Sequence, residues 1–286
     1  DGTKFMAAAI PFSGEPYLLM ENKGAAIRRA MPLGAVLTLP ASGSEMNNRA
    51  IISRRAANWK RAIMNDFLFP RFAVLDPTKT FTLPPAETGN GVVDTFVHVL
   101  EQYLTYPVDG KVQDRLAEGL LLALIEEGPK ALREPENYDV RANLMWASTL
   151  GLNGLIGAGV PQDWAAHRAG YELTVLYGLA HAQTLAVLVP AMLKVRSTGK
   201  KQKLLQYGER VWGISSGAET LRIDAAIERT RTFFETMGLP TRFADCGIKN
   251  VDADRVVELL AEHGLITMGE SGDVTPGTIR EILALC

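Results

Sequence analysis

From Pro84 onward the chain is a near-continuous series of segments whose apolar residues recur every three or four positions, the period of a helix face. GVVDTFVHVLEQYL, VQDRLAEGLLLALIEEGPKAL, RANLMWASTLGLNGLI and WAAHRAGYELTVLYGL come first. AQTLAVLVPAMLKV, KLLQYGERVW, IDAAIERTRTFFETMG and VDADRVVELLAEHG follow. Pro, Gly, Asn or Asp punctuates their ends, as helix termini require. Residues 1–83 read differently: KFMAAAI is a short helix, and AVLTLP, RAIISRR and RFAVLDP are short β-leaning runs bounded by Pro, Gly and Asp. The sequence therefore predicts a mixed α/β domain over residues 1–83 and an all-α domain over 84–286, without an internal repeat or a low-complexity linker.

Histidine is scarce, four in 286 residues, yet three of the four fall within an 84-residue stretch. His98 follows Asp94 by four residues, and His167 and His181 frame the run HRAGYELTVLYGLAH. Four-residue spacing puts Asp94 and His98 on one helix face, close enough to share an ion. An isolated D-x-x-x-H is more often a side-chain pair on a solvated face, but Val93, Phe96, Val97 and Leu100 make this face too apolar for that. The joint pattern points to one divalent-metal site. A carboxylate with imidazoles suits Zn²⁺ or Fe²⁺ rather than a thiolate-preferring metal, and such an ion would polarise a substrate oxygen. The fourth histidine, His263, precedes Gly264 in AEHG, where it is expected to serve only the dipole at a helix C-terminus. A second motif, TLPASGSEMN at 38–47, places small and hydroxyl residues after a strand. That arrangement lets backbone N–H groups and hydroxyls approach an anion, although plain turn chemistry explains Ser42, Gly43 and Ser44 as well.

Composition excludes other classes. Hydrophobic residues at 47% and charged residues at 22% are ordinary for a globular chain. A net charge of -2 leaves no electrostatic footprint for nucleic acid or an anionic membrane. Apolar runs such as TLAVLVPAML fall short of the ~20 residues that a membrane span needs. Cys246 and Cys286 cannot build a disulfide framework and fit a reducing, cytoplasmic setting.

GNGVVDTFVHVLEQY, GVPQDWAAHRAGYELTVLYGLAHAQTLAVLVP and the preceding TLPASGSE together resemble the iron-containing (group III) alcohol dehydrogenases, in particular their NADPH-dependent branch of broad-range aldehyde reductases and butanol dehydrogenases. The likeness covers essentially the whole chain. It implies a nucleotide-binding α/β domain followed by a helical metal domain, with the site in the cleft between them and a homodimer in the intact protein. Asp94, His98, His167 and His181 would be the metal ligands. Thr38, Ser42, Ser44 and Asn47 would line the nicotinamide and phosphates, and Lys60 would reach the cofactor, NADP(H) in preference to NAD(H). The implied reaction is reversible reduction of a small aldehyde to a primary alcohol, with Trp164 walling the pocket. A polyol dehydrogenase of the same architecture and a non-catalytic metal-binding helical module are the alternatives.

The family's diphosphate loop reads G-G-G-S-x-x-D-x-x-K, and this chain opens with its last part, Asp1 and Lys4. A fragment lacking roughly a hundred residues of the nucleotide domain is the expectation, because the glycine turn that approaches a pyrophosphate is not in the sequence. Two departures touch the site. Relatives carry a histidine where this chain has Tyr171, and often a histidine-glycine pair where it has Tyr177-Gly178. Four residues after His167, Tyr171 is expected to face the same cleft, either as a proton donor or as a packing residue.

Overall fold

The computed structural model describes residues 1–286. Its N-terminal part holds α1 (Gly2–Ala9), α2 (Leu18–Glu21) and four strands: β1 (Ala35–Val36), β2 (Arg49–Arg54), β3 (Trp59–Met64) and β4 (Ala73–Val74). β1 and β4 form a minimal parallel pair, Ala35 opposite Ala73 and Val36 opposite Val74. β2 and β3 form an antiparallel hairpin in which Arg49 faces Met64 and Ser53 faces Lys60. AVLTLP and RFAVLDP thus yield two-residue strands, shorter than expected. WKRAIM, with two cations interrupting its apolar run, is a full strand that pattern reading passed over.

Nine helices follow: α3 (Pro85–Tyr103), α4 (Lys111–Arg133), α5 (Tyr138–Leu152), α6 (Ala165–Tyr177), α7 (His181–Val195), α8 (Lys201–Arg210), α9 (Glu219–Thr236), α10 (Ala253–Glu262) and α11 (Pro276–Ala284). The first eight are the expected segments. α11 was not anticipated, although Thr275 caps its start and Pro276 opens its first turn, both helix-start signals.

Two hydrophobic cores result. The large one runs from Val92 to Leu283. The small one joins Ala8, Leu19, Met20, Ile27, Ala50, Ile63 and Leu68 beneath the hairpin. α3 is the axis of the large core, packed against α4, α5 and α7. Every residue from Gly91 to Thr105 is buried, so polar groups on this helix have no water to turn to.

Two glycines permit the close approaches that build the site. A Cβ on Gly91 would stand 2.4 Å from the carbonyl oxygen of Pro40, so only glycine lets α3 meet the 38–47 loop. A Cβ on Gly170 would stand 2.6 Å from Thr184 Oγ1, so glycine also sets the spacing of α6 against α7. No helix is long and apolar enough to cross a membrane.

Candidate metal centre

Asp94 Oδ1 is the hub of the site. It lies 3.7 Å from Nδ1 of His98, 3.8 Å from Nε2 of His167 and 3.6 Å from Nε2 of His181. These separations are too long for hydrogen bonds. They are close to the spacing of two ligands sharing one tetrahedral ion, about 3.3–3.6 Å for bonds of about 2.0–2.2 Å. The ligand atoms of Asp94, His167 and His181 all lie within 4.8 Å of one another. His98 joins them through Asp94, and its ring stacks on that of His167 at 4.5 Å.

Asp94 Oδ1, His98 Nδ1 and His167 Nε2 are buried without a hydrogen-bond partner, as is His181 Nδ1. Buried polar atoms are almost always satisfied, so several orphans around one point mark a site shaped for a cation. The donor set fits Fe²⁺ or Zn²⁺.

Each ligand is placed by local structure. Asp94 and His98 sit one turn apart on α3, fixed by its burial on all sides. His167 lies in the first turn of α6, whose start is held by a chain of contacts. Asp163 Oδ1 accepts from Ala165 N–H, and its other oxygen pairs with Arg196 and with Lys200 at 2.8 Å. Glu270 completes the clamp, 2.9 Å from Arg196 and 2.7 Å from Lys200. His181 is the first residue of α7, and its side chain is 27% exposed, which puts it at the mouth.

Glu101 was not singled out in the sequence, yet it organises His167. Its Oε2 shares a short hydrogen bond with His167 Nδ1, and its Oε1 accepts from Ala166 N–H at 2.7 Å. With Nδ1 engaged, Nε2 is left facing the hub, the usual outer-sphere device for a metal-ligating histidine. The signal was present: Asp94, His98 and Glu101 stand at i, i+4 and i+7 on one helical face.

The electrostatics follow from burial and from this carboxylate pair. Desolvation pushes the Asp94 carboxyl up, but the three imidazoles outweigh it and hold the group well below the usual carboxylate range. Burial lowers His98 to about 4 and His181 to about 3, so both rings are neutral and able to donate a lone pair. Burial acts on His167 in the same direction, but Glu101 and Asp94 overcome it and raise the ring to about 9.

The residues expected around the cofactor divide into two groups. Asn47 is fully engaged within the protein: its Oδ1 accepts from Lys4 Nζ and Arg49 N–H, and its Nδ2 donates to the carbonyls of Ser42 and Leu152. Asp1 accepts from Ser44 Oγ at 2.6 Å and from Ile51 N–H at 2.9 Å. Thr149 Oγ1 donates to Glu45, and Thr95 Oγ1 to the carbonyl of Ala41, so the loop is pinned on α5 and α3. The side chains of Asn47, Asp1 and Ser44 therefore act as fasteners in this structure. Thr38 is exposed, Ser42 half-buried and Lys60 half-buried, and none of these side chains makes a hydrogen bond within the chain. Burial lowers the Lys60 ammonium to about 8.

Tyr171 is half-buried, its ring 5.5 Å from that of His181, with Lys60 Nζ 5.0 Å from its centroid. Trp164 abuts the rings of His98, at 6.1 Å, and His167, at 5.3 Å. His263 corrects the expectation of a purely dipolar role. It does end α10, but its Nδ1 lies 2.8 Å from Glu172 Oε1 and joins α10 to α6.

A mostly helical chain whose Asp and His side chains converge beside a small α/β part has the layout of a metal-binding enzyme centre. The family comparison agrees with it. The Fe-containing alcohol dehydrogenase family, C-terminal, matches residues 88–285, and the iron-containing alcohol dehydrogenase description matches residues 1–77. The chain belongs to the iron-containing alcohol dehydrogenase family. It is 55% identical over 284 residues to the NADPH-dependent aldehyde reductase YqhD of Escherichia coli (strain K12), covering 99% of this chain and 73% of that protein. It is 35% identical over 289 residues to NADH-dependent butanol dehydrogenase B of Clostridium acetobutylicum, covering 100% and 73%. Among solved structures, E. coli K-12 YqhD superposes with a TM-score of 0.98 at 54% identity, covering 100% of this chain and 74% of that one. NADH-dependent butanol dehydrogenase A of Thermotoga maritima gives 0.92 at 29% identity, covering 99% and 72%.

Proposed function

We propose that this chain carries the metal centre and part of the nucleotide face of an aldehyde reductase that works reversibly as an alcohol dehydrogenase, with NADP(H) as the preferred nicotinamide. The observation that carries the reading is Asp94 Oδ1, set 3.6–3.8 Å from three imidazole nitrogens, two of which, His98 Nδ1 and His167 Nε2, are buried without a hydrogen-bond partner. Asp94, His98, His167 and His181 would hold Fe²⁺ or Zn²⁺. When bound, the ion supplies Lewis-acid polarisation of a carbonyl and the nicotinamide supplies a hydride.

The chain's own groups do the rest. Glu101 fixes the ring of His167. Trp164 and Tyr171 keep water away from the pocket, and the phenol of Tyr171 stands beside His181 as a candidate hydrogen-bond donor to a developing alkoxide. Residues 1–83 would present Thr38, Ser42 and Lys60 to the nucleotide, while 84–286 hold the ion. The preference for NADP(H) is supported by the NADPH dependence of the aldehyde reductase YqhD, the relative at 55% identity.

The test is turnover by the full-length protein loaded with Fe²⁺ or Zn²⁺, followed by loss of NADPH absorbance with butanal. Consumption of one NADPH per alcohol formed is the expected result. Stoichiometrically bound metal without any turnover would remove the proposal.

A further inference from the structure

Arg49 is a cation at this pocket that neither the metal centre nor the proposed chemistry uses. Its backbone is fully engaged, its N–H with Asn47 and its carbonyl with Lys4, while its guanidinium makes no hydrogen bond and no ion pair. It is half-buried all the same. A desolvated cation without a carboxylate is costly, and the two acidic groups nearest the pocket are already committed, Asp94 to the histidines and Glu101 to His167.

The hairpin register explains where this charge points. Arg49, Ile51 and Ser53 share one face with Met64, Ala62 and Lys60, whereas Ala50, Ile52 and Ile63 turn the other way into the small core. Both cations of that face meet aromatic residues, Trp164 at the N-cap of α6 and Tyr171 within it. The Arg49 guanidinium carbon is 5.4 Å from the Trp164 centroid, and Lys60 Nζ is 5.0 Å from that of Tyr171. Trp164 in turn abuts His98 and His167, so the guanidinium is one indole away from the metal ligands. A guanidinium held over an arene keeps its planar fork of N–H donors free, which is the group best matched to a carboxylate or phosphate.

The geometry points to Arg49 as a specificity-determining residue: it receives the anionic end of a short aldehyde whose carbonyl end lies at the metal centre. This deepens the reductase reading above and rests on it. The substrate class is a short aldehyde bearing a carboxylate, reduced as aldehyde + NADPH + H⁺ to alcohol + NADP⁺, with hydride to the carbonyl carbon and the proton to its oxygen. A neutral aldehyde would leave the guanidinium unpaired beneath it.

The experiment compares succinic semialdehyde with butanal, which has the same carbon count without the charge, in the full-length, metal-loaded protein and in Arg49→Gln and Arg49→Lys. The wild type should favour succinic semialdehyde in kcat/KM by about 10-fold or more, the scale of a charge-assisted pair. Arg49→Gln should bring that ratio close to one through KM for the semialdehyde, and Arg49→Lys should restore part of it. Calorimetry with 4-hydroxybutyrate, the corresponding alcohol, gives a readout that needs no turnover: wild type should bind it, and Arg49→Gln should lose about 10-fold or more in affinity. Reduction of butanal as efficiently as the semialdehyde, or equal 4-hydroxybutyrate affinity in wild type and Arg49→Gln, would overturn the assignment while leaving the reductase reading intact. A rise in KM for NADPH alone in Arg49→Gln would also overturn it, because the guanidinium would then be serving a cofactor phosphate.

Discussion

Glu101 Oε2 and His167 Nδ1 share a short, fully buried hydrogen bond across the interface of α3 and α6, and the same carboxylate accepts the N–H of Ala166. One side chain therefore caps the start of a helix and fixes the tautomer of a metal ligand. Removing it with Glu101→Ala should lower metal affinity about 10- to 100-fold, the usual scale for an outer-sphere partner. Competition with a chromophoric chelator measures this. Unchanged affinity would mean that α6 packing alone orients His167.

Metal should stabilise the protein through the hub. Binding to the native state alone contributes about 4 kcal/mol at a thousandfold excess over Kd, so adding Zn²⁺ should raise the Tm of the wild type. In Asp94→Ala the shift should vanish, because the oxygen common to all three histidines is gone. A metal-induced shift of the wild-type size in Asp94→Ala would place the ion elsewhere.

Metal uptake should release a proton. Without an ion, His167 is raised from 6.5 to about 9 by Glu101 and Asp94, against the opposing effect of burial. A raised folded pKa stabilises the metal-free protein fully below the unfolded value, and that contribution is lost as pH climbs through about 9. The ion needs the neutral ring, so metal affinity should gain about tenfold per pH unit up to that point and then level off. His98 and His181, already neutral, add no such slope near neutrality. Calorimetry in buffers of different ionisation enthalpy counts the proton directly, and a count near zero at pH 7 would contradict the assignment.

The 3-and-4 spacing that announced α3 also carried its chemistry, because GVVDTFVHVLEQY puts Asp94, His98 and Glu101 on one face. The role of Glu101 is not legible from sequence, because a carboxylate in a helix reads as a solvated charge until burial on every side is known. Contacts between distant segments were the real blind spot. Nothing local in AEHG shows that His263 will find Glu172, 91 residues earlier in the chain. Nor does Asn47 disclose that Lys4 and Leu152 will use up its amide. Arg49 and Lys60 share a face only through a hairpin register, and one of its strands, Trp59–Met64, was missed for its charged residues.

The His263–Glu172 pair yields a stability prediction. Both side chains are buried, and Glu172 Oε2 already lacks a partner. His263→Ala would leave the whole carboxylate unpaired between α6 and α10, at a cost of about 1–3 kcal/mol. Glu172→Gln combined with His263→Ala should recover part of that loss in urea unfolding. No recovery would show that packing, not the stranded charge, sets the penalty.

Tyr171 decides how the proton is handled. Its ring lies beside His181 under the ammonium of Lys60, and burial together with Asp94 and Glu101 pushes the phenol well above its ordinary range. A phenol in that state can donate a hydrogen bond but is no base at neutral pH. Tyr171→Phe keeps the ring that Lys60 covers and deletes only the hydroxyl, so kcat should fall while metal content stays constant. Tyr171→His should raise the rate near neutrality, where imidazole exchanges protons readily. If both variants track the wild type from pH 6 to 9, Tyr171 is a wall of the pocket and nothing more. A fall in both variants with metal content also reduced would mean that the tyrosine ring supports His181, and the proton would then have to come from another donor.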